Sequence, residues 1–291
     1  NSNFLADFGF VNGYNNDNRS HLFVNYDLDL KFEEFIDSNL FLSIEQVSND
    51  TYLNIFDAHL TKSKARPDNL NSLNNKLKLT LEHEEYNFSS GFDTYENLKT
   101  SKSSDRYQYI LPYYDFNKNI YSQYFNGNLE FSSSGSNDLK NTNNLKSKII
   151  NNLKYESNDK VSKSGFVTNL NVHFKNSNTL GKKDSDYKSS PQIELMNIYE
   201  IASKLPLKKT KGDFNNFLTP KISFRFNPSD MKNYSAASKN VNVDNIFSIN
   251  RLGFDDSFEK GRSLTLGLDY RKESLDDINK YFEFKLATAL R

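Results

Sequence analysis

The sequence predicts an all-β protein, an antiparallel up-and-down transmembrane β-barrel, and three observations carry that prediction. Apolar and polar side chains alternate with a period of two in stretches of roughly ten residues, the pattern of strands with one apolar and one wet face. The 291 residues are polar on average, with 36% hydrophobic side chains and a mean hydropathy of -0.75, yet they include 24 Phe and 17 Tyr. Disordered chains are poor in aromatics, whereas membrane barrels combine a polar average with aromatic girdles. Finally, no apolar run approaches the ~20 residues of a membrane-spanning helix.

Phe4–Val11 reads as a strand ending at Gly13, followed by an Asn-rich loop from Tyr14 to Arg19. His21–Phe32 shows the alternation best. Leu22, Val24, Tyr26, Leu28, Leu30 and Phe32 fall on one face and Asn25, Asp27, Asp29 and Lys31 on the other, with Phe23 the exception. Asn39–Gln46 is a strand whose expected hairpin partner is Tyr52–Leu60, and a polar loop covers Lys62–Asn75. Leu77, Leu79 and Leu81 continue the pattern until the phase slips by one before Tyr86 and Phe88, which predicts a turn or bulge. Arg106–Phe116 is rich in aromatics and contains Pro112, which cannot donate to a ladder and so marks an edge, a bulge or a strand end. Asn128–Ser132 and Lys146–Tyr155 are expected as weaker strands flanking a loop, Ser133–Asn144.

Thr168–Lys175 sets Leu170, Val172 and Phe174 against Asn169, Asn171, His173 and Lys175. Gln192–Ser203 is apolar at spacings that suit a helix or a strand, and strand is the favoured reading. Lys221–Asn227, Asn245–Leu252, Ser263–Tyr270 and the stretch holding Phe282, Phe284 and Leu286 complete a set of roughly twelve to fourteen strands. No linker rich in proline or glycine divides the chain and no fixed repeat appears, so residues 1–291 are expected to form a single unit. A spanning sheet has to close on itself, and no closing strand is visible before Arg291, so the chain is expected to be part of a larger barrel.

Lys plus Arg and Asp plus Glu number 37 each, which removes the electrostatic case for a nucleic-acid partner. The lack of cysteine excludes disulfides and thiolate metal sites. Asn1 opens strand-like sequence without the charged and apolar segments of a secretory signal, so an exported protein is expected to contain more than this chain. His21, His59, His83 and His173 are widely spaced and each is expected in a strand; Glu82 and Glu84 are expected to share a wet face beside His83, with Glu85 next to them. No glycine-flanked serine, phosphate loop or dinucleotide fingerprint occurs. No catalytic, cofactor-binding or metal site is therefore predicted, and no cofactor. If the apolar faces meet lipid, the opposite faces line a polar lumen, and Asn25, Asp27, Asp29, Lys31, Asn169, Asn171 and His173 are the candidates to face it.

Three C-terminal runs carry a family resemblance: Thr219-Pro220-Lys221-Ile222-Ser223-Phe224-Arg225-Phe226-Asn227-Pro228, then Asn245-Ile246-Phe247-Ser248-Ile249-Asn250-Arg251-Leu252-Gly253, then Gly261-Arg262-Ser263-Leu264-Thr265-Leu266-Gly267-Leu268-Asp269-Tyr270. With the upstream Leu111-Pro112 strand they resemble the barrel domain of the LptD family of LPS-assembly proteins, and the Asn- and Lys-rich phrasing is most similar to its alphaproteobacterial versions. The resemblance implies an outer-membrane barrel that receives lipopolysaccharide from periplasmic bridge proteins and releases it into the outer leaflet, with a lipoprotein plug of the LptE type inside. Its implied partners are thus lipopolysaccharide, that plug, the bridge proteins acting through an N-terminal jelly-roll domain that this chain lacks, and membrane lipid. The cysteines that join the two domains in well-known members have no counterpart here, and Pro112 and Pro220 mark either rims or weakly paired places. A diffusion porin and a soluble β-rich adhesin are the alternatives that the residues themselves leave open.

Overall fold

Alternating side chains yield strands here, and the strands enter the sheet almost in chain order. A computed structural model describes residues 2–13, 18–100, 106–121, 124, 126–141, 143–231 and 240–291. Its strands are β1 (Asn3–Val11), β2 (Arg19–Asp29), β3 (Asp37–Val47), β4 (Ser72–Glu82), β5 (Tyr86–Asn97), β6 (Tyr107–Ile120), β7 (Gly127–Lys140) and β8 (Asn144–Ser157), then β9 (Lys160–Val161), β10 (Val167–Lys182), β11 (Gln192–Lys204), β12 (Leu207–Lys211), β13 (Phe214–Asn227), β14 (Gly261–Ser274) and β15 (Tyr281–Leu290). Two four-residue helices, α1 (Tyr52–Ile55) and α2 (Asp57–Leu60), follow β3, and no helix among the described residues is long and apolar enough to cross a membrane. One 15-stranded sheet runs β1-β2-β3-β4-β5-β6-β7-β8-β10-β11-β13-β14-β15, with β9 attached to β10 and β12 to β13. This is the predicted up-and-down meander; among the described residues the sheet is not closed, β1 and β15 having one neighbour each.

Both prolines sit where a ladder can spare a donor. The β5–β6 register shifts between Gly91 and Asp93, which face Tyr113 and Ile110, so Leu111 and Pro112 fall in a bulge. On β13, Pro220 lies where one edge changes partner, from β12 (Leu207 opposite Leu218) to β11 (Lys204 opposite Lys221), and its carbonyl accepts from Leu205 N at 3.0 Å.

Several expectations need correcting. Tyr52–Leu60 is helical and does not pair with β3, whose partner is β4; Tyr52, Leu53, Phe56 and Leu60 line one side at helical spacing. Ser133–Asn144 is mostly strand, because β7 and β8 meet at a tight turn. Gly135 there leaves room for the Tyr114 ring, whose Cε1 would stand 2.5 Å from an added Cβ. Asn245–Leu252 forms turns and no strand. Of the histidines only His21 and His173 are in strands; His59 is in α2 and His83 in the β4–β5 turn, where Glu84 also lies beyond the end of β4. Leu30 and Phe32 fall past the end of β2, and residues 14–17 of the Asn-rich loop lie outside the described residues.

The chain groups into two compact units, one of Asn1–Lys118, Ser132–Ile149 and Asn178–Ile193, the other of Asn119–Phe131, Ile150–Ser177 and Glu194–Arg291. In the first, Phe23 is completely buried and packs with Tyr52, Leu53, Leu60, Ala65, Leu73 and Leu98. The residue that broke the alternation on β2 is therefore the floor on which α1 and α2 rest. Burying a side chain of this size is worth about 1.5–3 kcal/mol. In the second unit Met196, Ile198 and Phe258 form a smaller cluster with Ile249.

Candidate functional site

Strands of the second unit bury polar side chains and expose large apolar ones. On β10 the buried set includes His173, Lys175 and Ser177, while Phe174 between them is 44% exposed. On β11 the buried face is mixed, Glu200 following Met196 and Ile198, while Leu195 and Ile201 are 77% and 54% exposed; on β13 Ser223, Arg225 and Asn227 are buried and Phe224 is 47% exposed. Ser263 and Thr265 continue the buried polar set on β14. A water-soluble sheet packs its apolar face inward, so this polarity is reversed.

Charges on the buried face are held by hydrogen bonds, as burial requires. Glu200 accepts from Asn171 Nδ2 at 2.9 Å and from Ser223 Oγ at 3.0 Å. One step along β13, Arg225 binds Glu259 and donates to Ile249 O at 3.1 Å, while Arg251 donates to Glu259 Oε2 at 2.6 Å and to Oε1 at 2.9 Å. Arg291 reaches the same carboxylate. Burial, the main influence on Arg251, pulls its pKa below the usual guanidinium value. Glu259 thus gathers three guanidinium groups, and the Glu200 carboxylate also acts on Arg225 and Arg251.

Most of these partners arrive from the connection between β13 and β14. Its residues 240–260 turn back along the buried face: Lys175 bonds Asp255 O and sits 4.7 Å from the Phe258 ring centre, and Phe258 packs edge-on to His173 at 4.6 Å. Asn227 Nδ2 donates to Glu259 O at 3.0 Å. Phe247 fits only because position 267 is glycine, where a Cβ would come within 2.6 Å of its ring. Some polar capacity is left over, since His173 Nδ1, Ser177 Oγ, Arg251 Nη1 and Ser263 Oγ are buried with no partner among the described residues. Beside this network is a cavity of about 210 Å³ bordered by Asn171, His173, Glu200 and Ile249. No group of three or more His, Asp or Glu among the described residues could hold a metal ion.

The family model of LptD, LPS transport system D, matches residues 21–291. The chain belongs to the LptD family. It is accordingly an outer-membrane protein with a role in the transport and assembly of lipopolysaccharide, as the quoted C-terminal runs had implied. Comparison with individually curated proteins gives no match.

The candidates read from the sequence divide between the two units of this LptD-family chain. In the first, Asn25 accepts from Ser43 Oγ at 2.9 Å, Asp27 pairs with Asn39, and Asp29 caps Lys31 N at 3.2 Å. Lys31 itself is exposed in the turn after β2, with φ at 52°. In the second, Asn171 belongs to the Glu200 network, His173 Nε2 is 3.1 Å from Asn152 Oδ1, and Asn169 borders a small cavity with Lys221 and Phe247. Sequence reasoning missed Glu200, Arg225, Arg251 and Glu259. Arg225 and Glu200 were legible as polar positions on alternating strands, whereas Arg251 and Glu259 carried no periodic signal because they lie in a connection.

Proposed function

We propose that this chain carries lipopolysaccharide across the outer membrane along its buried polar face, with the saccharide and phosphates among the polar side chains and the acyl chains directed to lipid. The supporting observation is the reversed polarity of β10, β13 and β14, which suits a sheet between lipid and water. Asn25, Asp27, Asp29, Asn169, Asn171 and His173 then face the wet side, and Lys31 stands at the turn that follows β2. The task is binding and passage, with no bond made or broken. A lipoprotein plug of the LptE type and periplasmic bridge proteins are the expected partners.

Residues 240–260 occupy the proposed route, so passage requires their displacement, and the guanidinium pairs of Glu259 set its cost. A photo-crosslinking residue at Asp27 or Asn171 is expected to label lipopolysaccharide in living cells. Absence of labelling at both positions, in a protein that conducts small solutes, would overturn this reading in favour of a porin.

A further inference from the structure

We infer that a second site, at one end of the β4–β5–β6–β7 strands, binds an acidic oligosaccharide. A cavity of about 490 Å³ opens there in the first unit, within the ~300–1,000 Å³ usual for ligand sites. Its wall is rich in planar amides, Asn71, Asn97 and Gln108, each able to donate and accept at once, as neighbouring sugar hydroxyls require. The Tyr95 ring, directly opposite Gln108 on the same face of the β5–β6 pair, supplies an apolar face for the C–H side of a sugar ring. Lys99 and Lys140 also line it, and neither has a carboxylate partner among the described residues, so they are available to a phosphate or carboxylate on the ligand.

The wall is built to keep its shape. Arg106 is 4% exposed and is fixed by Glu96 at 2.6 Å and by both oxygens of Asp50. It stands 5.8 Å from the Tyr107 ring centre, and Tyr107 Oη donates to Glu96 Oε1 at 3.1 Å. With its own charge satisfied by Glu96 and Asp50, Arg106 leaves the lysines to meet the ligand. The cavity lies at the end of the strands where β3 and β4 are joined by the long connection 48–71; at the other end β4 and β5 are joined by His83–Glu85 alone. Outer-membrane barrels carry their longer loops outside the cell and short turns inside, so the site opens where the saccharide of a delivered glycolipid would emerge.

This inference rests on the proposed function, and its test separates the two. Residues 1–291 contain no tryptophan, so Tyr95→Trp introduces an indole reporter into the cavity, read as the difference from the parent protein. In the full-length protein, purified in detergent with its partners, deacylated lipopolysaccharide is expected to change the indole emission. Lys99→Ala with Lys140→Ala should raise the half-maximal concentration by about tenfold or more. Gln108→Ala should also weaken the response, with heat-modifiable gel migration confirming that each variant is folded. A response that the double lysine variant leaves unchanged, or an equal response to a neutral maltooligosaccharide, overturns the acidic-saccharide site. No response to deacylated lipopolysaccharide while Asn171 still crosslinks it in cells refutes this site alone; failure of both refutes the transport reading as well.

Discussion

Arg106 and Asp50, 56 positions apart, form a two-pronged pair in which Nη1 donates to Oδ2 at 2.9 Å and Nη2 to Oδ1 at 2.6 Å. Asp50 lies just ahead of α1 and Arg106 just ahead of β6, so the pair ties the helical connection to the end of its neighbouring hairpin. The two bonds hold the guanidinium pKa above its usual value, with Asp50 the leading cause. Asp50→Ala leaves Arg106 buried with Glu96 as its remaining acid. Hydrogen bonds to charged groups contribute about 1.5–3 kcal/mol, so the connection 48–71 should loosen by that order. Tryptic cleavage at Lys62 and Lys64 is the measurement; an unchanged cleavage rate would show that the pair does not hold this segment.

Leu53 and Phe23 share one fully buried cluster. Leu53→Ala should cost about 2–5 kcal/mol and Phe23→Ala about 3–5 kcal/mol. Thermal loss of heat-modifiable gel migration reads the sum, and the double variant should cost less than both together because the two sites are coupled.

Glu259→Gln removes the charge that Arg225 and Arg251 grip. Breaking a buried pair from one side typically costs about 3–5 kcal/mol. The expected result is release of residues 240–260 with the sheet intact. Because residues 1–291 contain no cysteine, Ser257→Cys places a thiol at a fully buried position, its labelling read against the parent protein. Maleimide should label it rapidly only when Glu259→Gln is also present; equal rates in both backgrounds would refute the lock.

Phe174 and Asn169 test the two faces of β10. An arginine facing lipid near the middle of a spanning strand costs about 2–4 kcal/mol. Phe174→Arg should therefore reduce assembly into heat-modifiable protein in the outer membrane, while Asn169→Arg, on the wet side, should assemble normally. The reverse outcome would exchange the faces.

Much of this arrangement was legible because period-two patterning survives wherever each face meets a uniform environment. Leu170, Val172 and Phe174 announced β10, and the proline rule anticipated the bulge at Pro112. Patterning failed where side chains serve a local partner. Ser133 and Gly135 look like loop residues because they are cut to fit Tyr114, the serine bonding its hydroxyl at 3.1 Å and the glycine making space for its ring. Phe247 and Ile249 do alternate, but their partners are Gly267 and the Met196 cluster, reached from a connection. The charged centre at Glu259 was hidden for the same reason: one carboxylate in a turn-rich segment says nothing until the arginines that surround it have been brought together by the sheet.

The reversed polarity of β10 and β13 also bears on biogenesis. An outer-membrane protein must first pass through the inner membrane, where a continuous apolar segment would be retained as a helix. Because polar and charged residues interrupt the apolar ones throughout, no window of residues 1–291 offers the translocon such a segment. The apolar surface comes into existence only when the strands pair, after the membrane that must not capture it has been left behind.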